Sequence, residues 1–154
     1  MYAIIRNVFI LAIISLTVIS CKPEDDCDGI DCFTPPPPLY FNLVDKDSGE
    51  NLFETGVLDS LFVIVVDSDI DLVKHNFLQS NYSIELPEIT FLTGPRIYYL
   101  SVGDDVRITF KLDMTINVEG CCTFFTLNIF EVLNQDYEFD EHAMTATVFI
   151  DTTP

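Results

Sequence analysis

Apolar and polar residues alternate without a miss along Val106, Ile108, Phe110, Leu112, Met114, Ile116 and Val118, set against Arg107, Thr109, Lys111, Asp113, Thr115 and Asn117. A strict period of two over that length predicts a β-strand with one buried face. The run is longer than an ordinary strand, so a bend or bulge is expected part-way, as where one strand serves both layers of a sandwich. Glu119-Gly120 offers a turn, and Phe125, Leu127 and Ile129 alternate on the return. Together they predict a hairpin.

The same texture recurs from Leu39 onward. Met144, Ala146, Val148 and Ile150 alternate near the C-terminus, Tyr82, Ile84 and Leu86 do so more briefly, and Gly94-Pro95 with Gly103-Asp104 bracket a strand over Ile97 to Val102. Leu61 to Val66 is uniformly apolar, the pattern of a strand covered on both sides or placed mid-core. Polar turn-forming clusters, such as Asp45-Lys46-Asp47-Ser48-Gly49-Glu50-Asn51, separate these stretches. No segment has the apolar period of a three-turn helix. About seven or eight short strands at this spacing predict an all-β, immunoglobulin-like or transthyretin-like antiparallel β-sandwich. Strand order does not follow from periodicity.

The first twenty residues have a different character. Val8 to Ile19 is apolar except for Ser15 and Thr17 and follows a single positive charge, Arg6. That run falls short of the ~20 apolar residues a spanning helix needs, and Arg6 with Asn7 prevents its extension backwards. It reads as the core of an export signal that is removed rather than packed. The segment closes with Leu16-Thr17-Val18-Ile19-Ser20-Cys21, an aliphatic and a small residue before a cysteine, which resembles the lipobox of bacterial lipoproteins. That resemblance implies acylation of Cys21 as the new N-terminus. At ~0.8 kcal/mol per buried methylene, several acyl chains anchor a protein to a membrane essentially permanently. The chain thus divides into a signal peptide (1–20), an acidic, Cys- and Pro-rich tether (21–38) and a β-sandwich domain (39–154). The tether has too little apolar surface to fold alone, and Pro35 to Pro38 is expected to form an extended spacer that holds the domain off the membrane.

Charge narrows the partners. Only Arg6 of the seven basic residues precedes Cys21, so six basic residues stand against 25 acidic ones beyond it, a net charge near −19. Nucleic acid is excluded as a partner, because phosphate binding needs clustered Lys and Arg. The acidic clusters are candidates for divalent cations. Glu24, Asp26 and Asp28, followed by Gly29 and Asp31, match the first half of an EF-hand-like loop, but Pro35 stands where a bidentate Glu belongs. Asp67, Asp69 and Asp71 supply alternate ligands of a second candidate calcium loop, with Leu72 in the glycine place. The plain alternative is a polar turn that ends the preceding strand. No other cofactor is implied.

With Cys21 given to lipid, Cys27, Cys32, Cys121 and Cys122 remain, an even number suited to disulfides in an oxidising compartment. Three connectivities are open. Adjacent residues in an extended chain point to opposite sides, which disfavours a Cys121–Cys122 bond and favours bridges from the tether to the hairpin tip. Such bridges would close loops of about 90 residues, for which the chain-entropy model gives roughly 4–5 kcal/mol for the first. A thiol metal site lacks the Cys-x-x-Cys spacing.

Enzyme motifs are missing: the chain has no Gly-x-Ser-x-Gly elbow, no His-Glu-x-x-His and no glycine-rich phosphate loop. His142 sits in an acidic loop and reads as exposed surface. The pairs Tyr98-Tyr99 and Phe124-Phe125 are candidate sugar-stacking platforms, set against the plainer reading that one ring of each pair is core.

As a whole the chain resembles the small lipoproteins of Bacteroidota, particularly flavobacteria. The residues that carry this are Ser20-Cys21-Lys22-Pro23-Glu24-Asp25-Asp26, the proline run, Leu43-Val44-Asp45-Lys46 with Ser48-Gly49-Glu50-Asn51-Leu52, Val102-Gly103-Asp104 and Cys121-Cys122. The resemblance implies residence in the cell envelope at the outer membrane. Lys22 and the acidic run after Cys21 are similar to a surface-export signal, although Pro23 intervenes. The expectation is a noncatalytic binding or structural module that contacts envelope protein or glycan. The rivals are an accessory subunit of an envelope uptake complex, with glycan or calcium binding, and a small hydrolase.

Overall fold

Alternating side chains force each strand to show one apolar face, and burying ten such strands requires two layers. The computed structural model describes residues 32–152, which form a β-sandwich. The strands are β1 (Cys32–Phe33), β2 (Leu39–Asp45), β3 (Val63–Asp67), β4 (Asn76–Leu78), β5 (Ser83–Leu86), β6 (Gly94–Val102), β7 (Val106–Glu119), β8 (Cys122–Val132), β9 (Asp136–Asp140) and β10 (Thr145–Ile150). One sheet runs β1-β8-β7-β6-β3 and the other β4-β5-β2-β10-β9. Among the described residues the only helical elements are single 3-10 turns at Ser60–Phe62 and Ile89–Phe91.

The all-β sandwich expected from the sequence is therefore present. It has more strands than the expected seven or eight, and it is not purely antiparallel. β1 lies parallel to β8, and β2 lies parallel to β10 over six residue pairs.

The core is the inner face of each strand. Leu39, Phe41 and Leu43 of β2 and Ala146, Val148 and Ile150 of β10 meet Tyr98 and Leu100 of β6 and Ile108, Phe110, Leu112 and Met114 of β7. Phe110 sits where the layers touch. Its ring lies 4.8 Å from Phe41 across the sandwich, 5.2 Å from Tyr98 in a stacked arrangement, and 6.1 Å from Phe130. Phe130 in turn stacks on Phe139 at 4.2 Å and meets Tyr137 edge to face at 5.8 Å. The aromatic column thus reaches from β6 to the β9 edge.

Four local expectations are corrected. The β7 alternation holds, but Ile116 and Val118 are exposed because the β7–β8 hairpin extends past the end of the opposing sheet. The anticipated bulge exists, and it lies in β8 while β7 stays in one layer. Asp113 pairs with Ile129 and Met114 with Leu127, leaving Asn128 as the extra residue. That insertion reverses the phase, so Phe130 and Val132 face inward and Ile129 outward. The run from Leu61 to Val66 is covered on one face only, with Val63 and Val65 in the core. β3 is a sheet edge, with Leu61, Phe62 and Ile64 exposed. Finally, the proline run does not stand off from the domain, since Pro36 is buried where the chain passes from β1 in one sheet to β2 in the other.

Truncating Phe110 to Ala removes the ring that joins the sheets. A loss of about 3–5 kcal/mol in urea denaturation is expected. The Tyr98 hydroxyl is buried without a hydrogen-bond partner among the described residues. Tyr98→Phe keeps the ring stack and is expected to hold or raise stability, by up to about 1 kcal/mol.

The turn after β2 generates a pH prediction. The Asp45 carboxylate is lowered from 3.8 to about 2, first by the Thr152 hydroxyl, then by the Ser48 backbone N–H and hydroxyl, and also by the Asp47 N–H. A depressed carboxylate stabilises the fold fully above its unfolded value and loses that contribution as pH falls through the folded one. Asp45→Asn is accordingly expected to flatten the acid limb of the melting-temperature profile between 3.8 and about 2, compared with the unmodified chain.

Candidate functional site

Among the described residues, a concavity lies at the loop end where the segment after β2 folds against the β4–β5 hairpin. Its lining includes Phe53, Leu58, Asp59, Phe77, Gln79 and Tyr82, around a volume of about 590 Å³. Asn51 organises one wall. Its side-chain oxygen accepts from the Phe53 and Glu54 N–H groups at 3.0 and 3.2 Å, and its amide nitrogen donates to the Tyr82 carbonyl at 3.2 Å. One side chain therefore fixes both the wall and the hairpin opposite. Leu52 and Phe53 are buried beneath, and the chain reverses at Gly56, where φ is 74°. That conformation suits glycine, which has no Cβ to clash.

The floor is aromatic: Phe53 and Phe77 meet edge to face at 5.0 Å. At the rim, Tyr82 holds a left-handed backbone with φ of 53° and is itself about one-third exposed. A bulky residue held in that region costs of order 1–3 kcal/mol unless its surroundings fix it. Here the Asn51 bond to its carbonyl is such a constraint. Asp59 accepts from the Leu61 N–H at 2.9 Å, capping the following 3-10 turn, and keeps a second carboxylate oxygen for other partners. Gln79 is exposed and adds an amide. An apolar floor with a few polar groups at the rim can hold a small ligand by stacking and hydrogen bonds.

The residues singled out from sequence are distributed elsewhere. Cys21, Cys27, Glu24, Asp26, Asp28 and Asp31 lie outside the described residues. Asp67, Asp69 and Asp71 form a closed turn. The Asp67 carboxylate accepts from the N–H groups of Asp69 and Asp71 at 2.9 and 3.0 Å, and its own N–H donates to the Asp71 carbonyl at 3.1 Å. The turn folds back so that Leu72 bridges to Val66. Asp67 thus works as a turn cap, as an Asx residue does when its side chain replaces a backbone acceptor. Among the described residues, no group of three or more His, Cys, Asp or Glu side chains is placed to hold a metal ion.

The aromatic pairs also separate. Tyr98 is core and Tyr99 is exposed on the outer face of β6, while Phe125 packs edge to face with Phe33 and Phe91. Neither pair forms a platform. His142 is exposed, and its backbone N–H donates to the Asp140 carboxylate. Cys32 and Cys122 do come together, at the tip of the β7–β8 hairpin.

Sequence reasoning missed the cleft. Apart from Tyr82, which opens the short Tyr82-Ile84-Leu86 alternation but stands just before β5, its residues belong to no alternating run, and the signals were turn formers at Asn51 and Gly56 and the rings of Phe53 and Phe77. Compared with protein-family models, curated proteins and solved structures, the chain matches none.

Proposed function

We propose that the chain is a lipoprotein of the bacterial envelope, acylated at Cys21 once residues 1–20 are removed. In this reading it serves at the outer membrane as a noncatalytic binding module. The cleft beside Tyr82 takes a short, uncharged glycan segment. The observation that carries the binding role is the open aromatic-floored cleft, where the exposed Tyr82 ring stands beside the Asp59 carboxylate and the Gln79 amide. Sugar rings stack their C–H faces on aromatic side chains, and their hydroxyls bond to carboxylates and amides. Beyond residue 20, 25 acidic residues stand against six basic ones, which favours a neutral ligand, because an anionic glycan would meet a repulsive field.

A second reading is favoured by a different surface. Leu61, Phe62 and Ile64 are exposed together at the β3 edge, a contact suited to an envelope protein in an uptake assembly. Recovery of a stable protein partner from detergent-solubilised envelopes, lost on Leu61→Asp, would favour this reading over the glycan.

Two measurements test the leading proposal. The intact mass of the protein from its native envelope is expected to lack residues 1–20 and to carry acyl chains on Cys21. An intact Met1, or an unmodified Cys21 thiol, overturns the anchor. On a glycan array, Tyr82→Gly is the informative variant, since glycine suits the left-handed backbone and the fold is retained while the ring is lost. A stacking loss near 1.4 kcal/mol corresponds to about a tenfold drop in affinity. Equal binding by both proteins, or none by either, refutes the cleft as a glycan site.

A further inference from the structure

Cys32 and Cys122 face one another where the described chain begins. β1 contains two residues, and its register sets Cys32 opposite Cys122 and Phe33 opposite Thr123. Neighbouring strands lie about 4.8 Å apart, inside the 4.4–6.8 Å between Cα atoms that a disulfide accepts. In-register residues of adjacent strands also project from the same face, so the two Cβ atoms start on one side. Both thiols are free and partly buried, and they are in contact. The Cys32 hydrogen bond raises the Cys122 pKa, with burial and the neighbouring Cys32 and Glu119 groups adding to the rise. Cys121, next in the chain, is not a free thiol.

The surroundings hold this pairing in place. The Thr34 N–H donates to the Thr123 carbonyl at 3.0 Å, and the Phe33 ring packs edge to face on Phe125 at 6.1 Å. Gly120, with φ of 58°, supports the tight hairpin turn that puts Cys122 at the start of β8. Cys121 lies in the hairpin turn before β8 begins, whereas Cys122 is in register with Cys32, so the two are not equivalent partners for Cys32.

We propose that Cys32 and Cys122 are joined by a disulfide that fastens the entry of the chain to the hairpin tip. The oxidant is a disulfide donor, either a protein thiol oxidase or a small-molecule disulfide. The thiolate of one cysteine attacks a donor sulfur and releases one donor thiol. The thiolate of the other then attacks the protein sulfur of the mixed disulfide and releases the second. The two cysteines lose two electrons to the donor, which is reduced to two thiols, and their protons pass to solvent and the departing thiolates. A two-residue parallel strand, marginal on hydrogen bonds alone, thereby becomes a covalent attachment.

The test uses the full chain in detergent, first reduced and then exposed to oxidised glutathione, alkylated without reductant and mapped by peptide mass. Because this needs no envelope, its outcome is independent of the lipoprotein reading. The expected result is a Cys32–Cys122 cross-linked peptide, two hydrogen atoms lighter than its separate halves, formed by the unmodified chain and kept in Cys121→Ser. In Cys122→Ser the Cys32 peptide is expected to lose the cross-link and become modified by alkylating agent or glutathione. A Cys32 bonded to Cys121 or to Cys27, or a Cys32 that stays fully alkylated in the unmodified chain, overturns the proposal.

Discussion

The contact of Phe110 with Phe41 is the constraint on which the rest of the architecture depends. Each sheet presents an apolar face that is stable only against the other, and the aromatic column is where the two faces interlock. Rings that tilt and stack at these distances leave little freedom for one sheet to slide on its partner. The column thereby fixes which strand ends stand above the opposing sheet and which overhang it. The exposed tip of the β7–β8 hairpin is one consequence of that alignment. Interiors packed at near-crystal density transmit such an alignment rather than absorbing it.

The parts of this fold that were legible in the sequence are those where one strand faces one core. Val106 to Met114 and Met144 to Ile150 alternate and are buried as the alternation requires. Periodicity fails where the environment changes along a strand. Ile116 and Val118 keep the pattern but outrun the opposing sheet, and Asn128 inserts into β8 and reverses the phase for everything beyond it. Uniform apolarity from Leu61 to Val66 reads as a doubly covered strand, yet the segment forms an edge, because composition reports affinity for apolar surroundings and not the presence of neighbours. The cleft was illegible for a related reason. It depends on Asn51 joining two loops that are 31 residues apart, and no local pattern encodes that contact.

Edges and charge belong to one problem. A sandwich has four edge strands, each a template for pairing with another chain. Here β1 and β4 are two and three residues long, and β9 places Asp136, Glu138 and Asp140 on its outward face. The return of Leu72 onto Val66, with the Val73 N–H donating to the Val65 carbonyl, occupies part of β3. The Asp67 cap is what turns the chain back to do this. Asp67, one of the aspartates that resemble calcium ligands in sequence, thus serves edge protection, and the high negative charge adds repulsion between copies.

The route of the chain into the domain ties its first described residues to both sheets. From β1 it crosses at Pro36 to β2, so the first eight described residues touch both sheets. β2 then lies at the centre of its sheet, parallel to β10, with the Tyr40 N–H bonded to the Met144 carbonyl at its start. Tension applied at Cys32 would meet the pairing of β1 with β8 before it reached β2. Proline suits the crossing because its fixed φ keeps the connection extended, and the absence of an N–H leaves no buried donor to satisfy between the layers. A flexible linker joined directly to β2 would deliver the same pull to the central strand of one sheet alone.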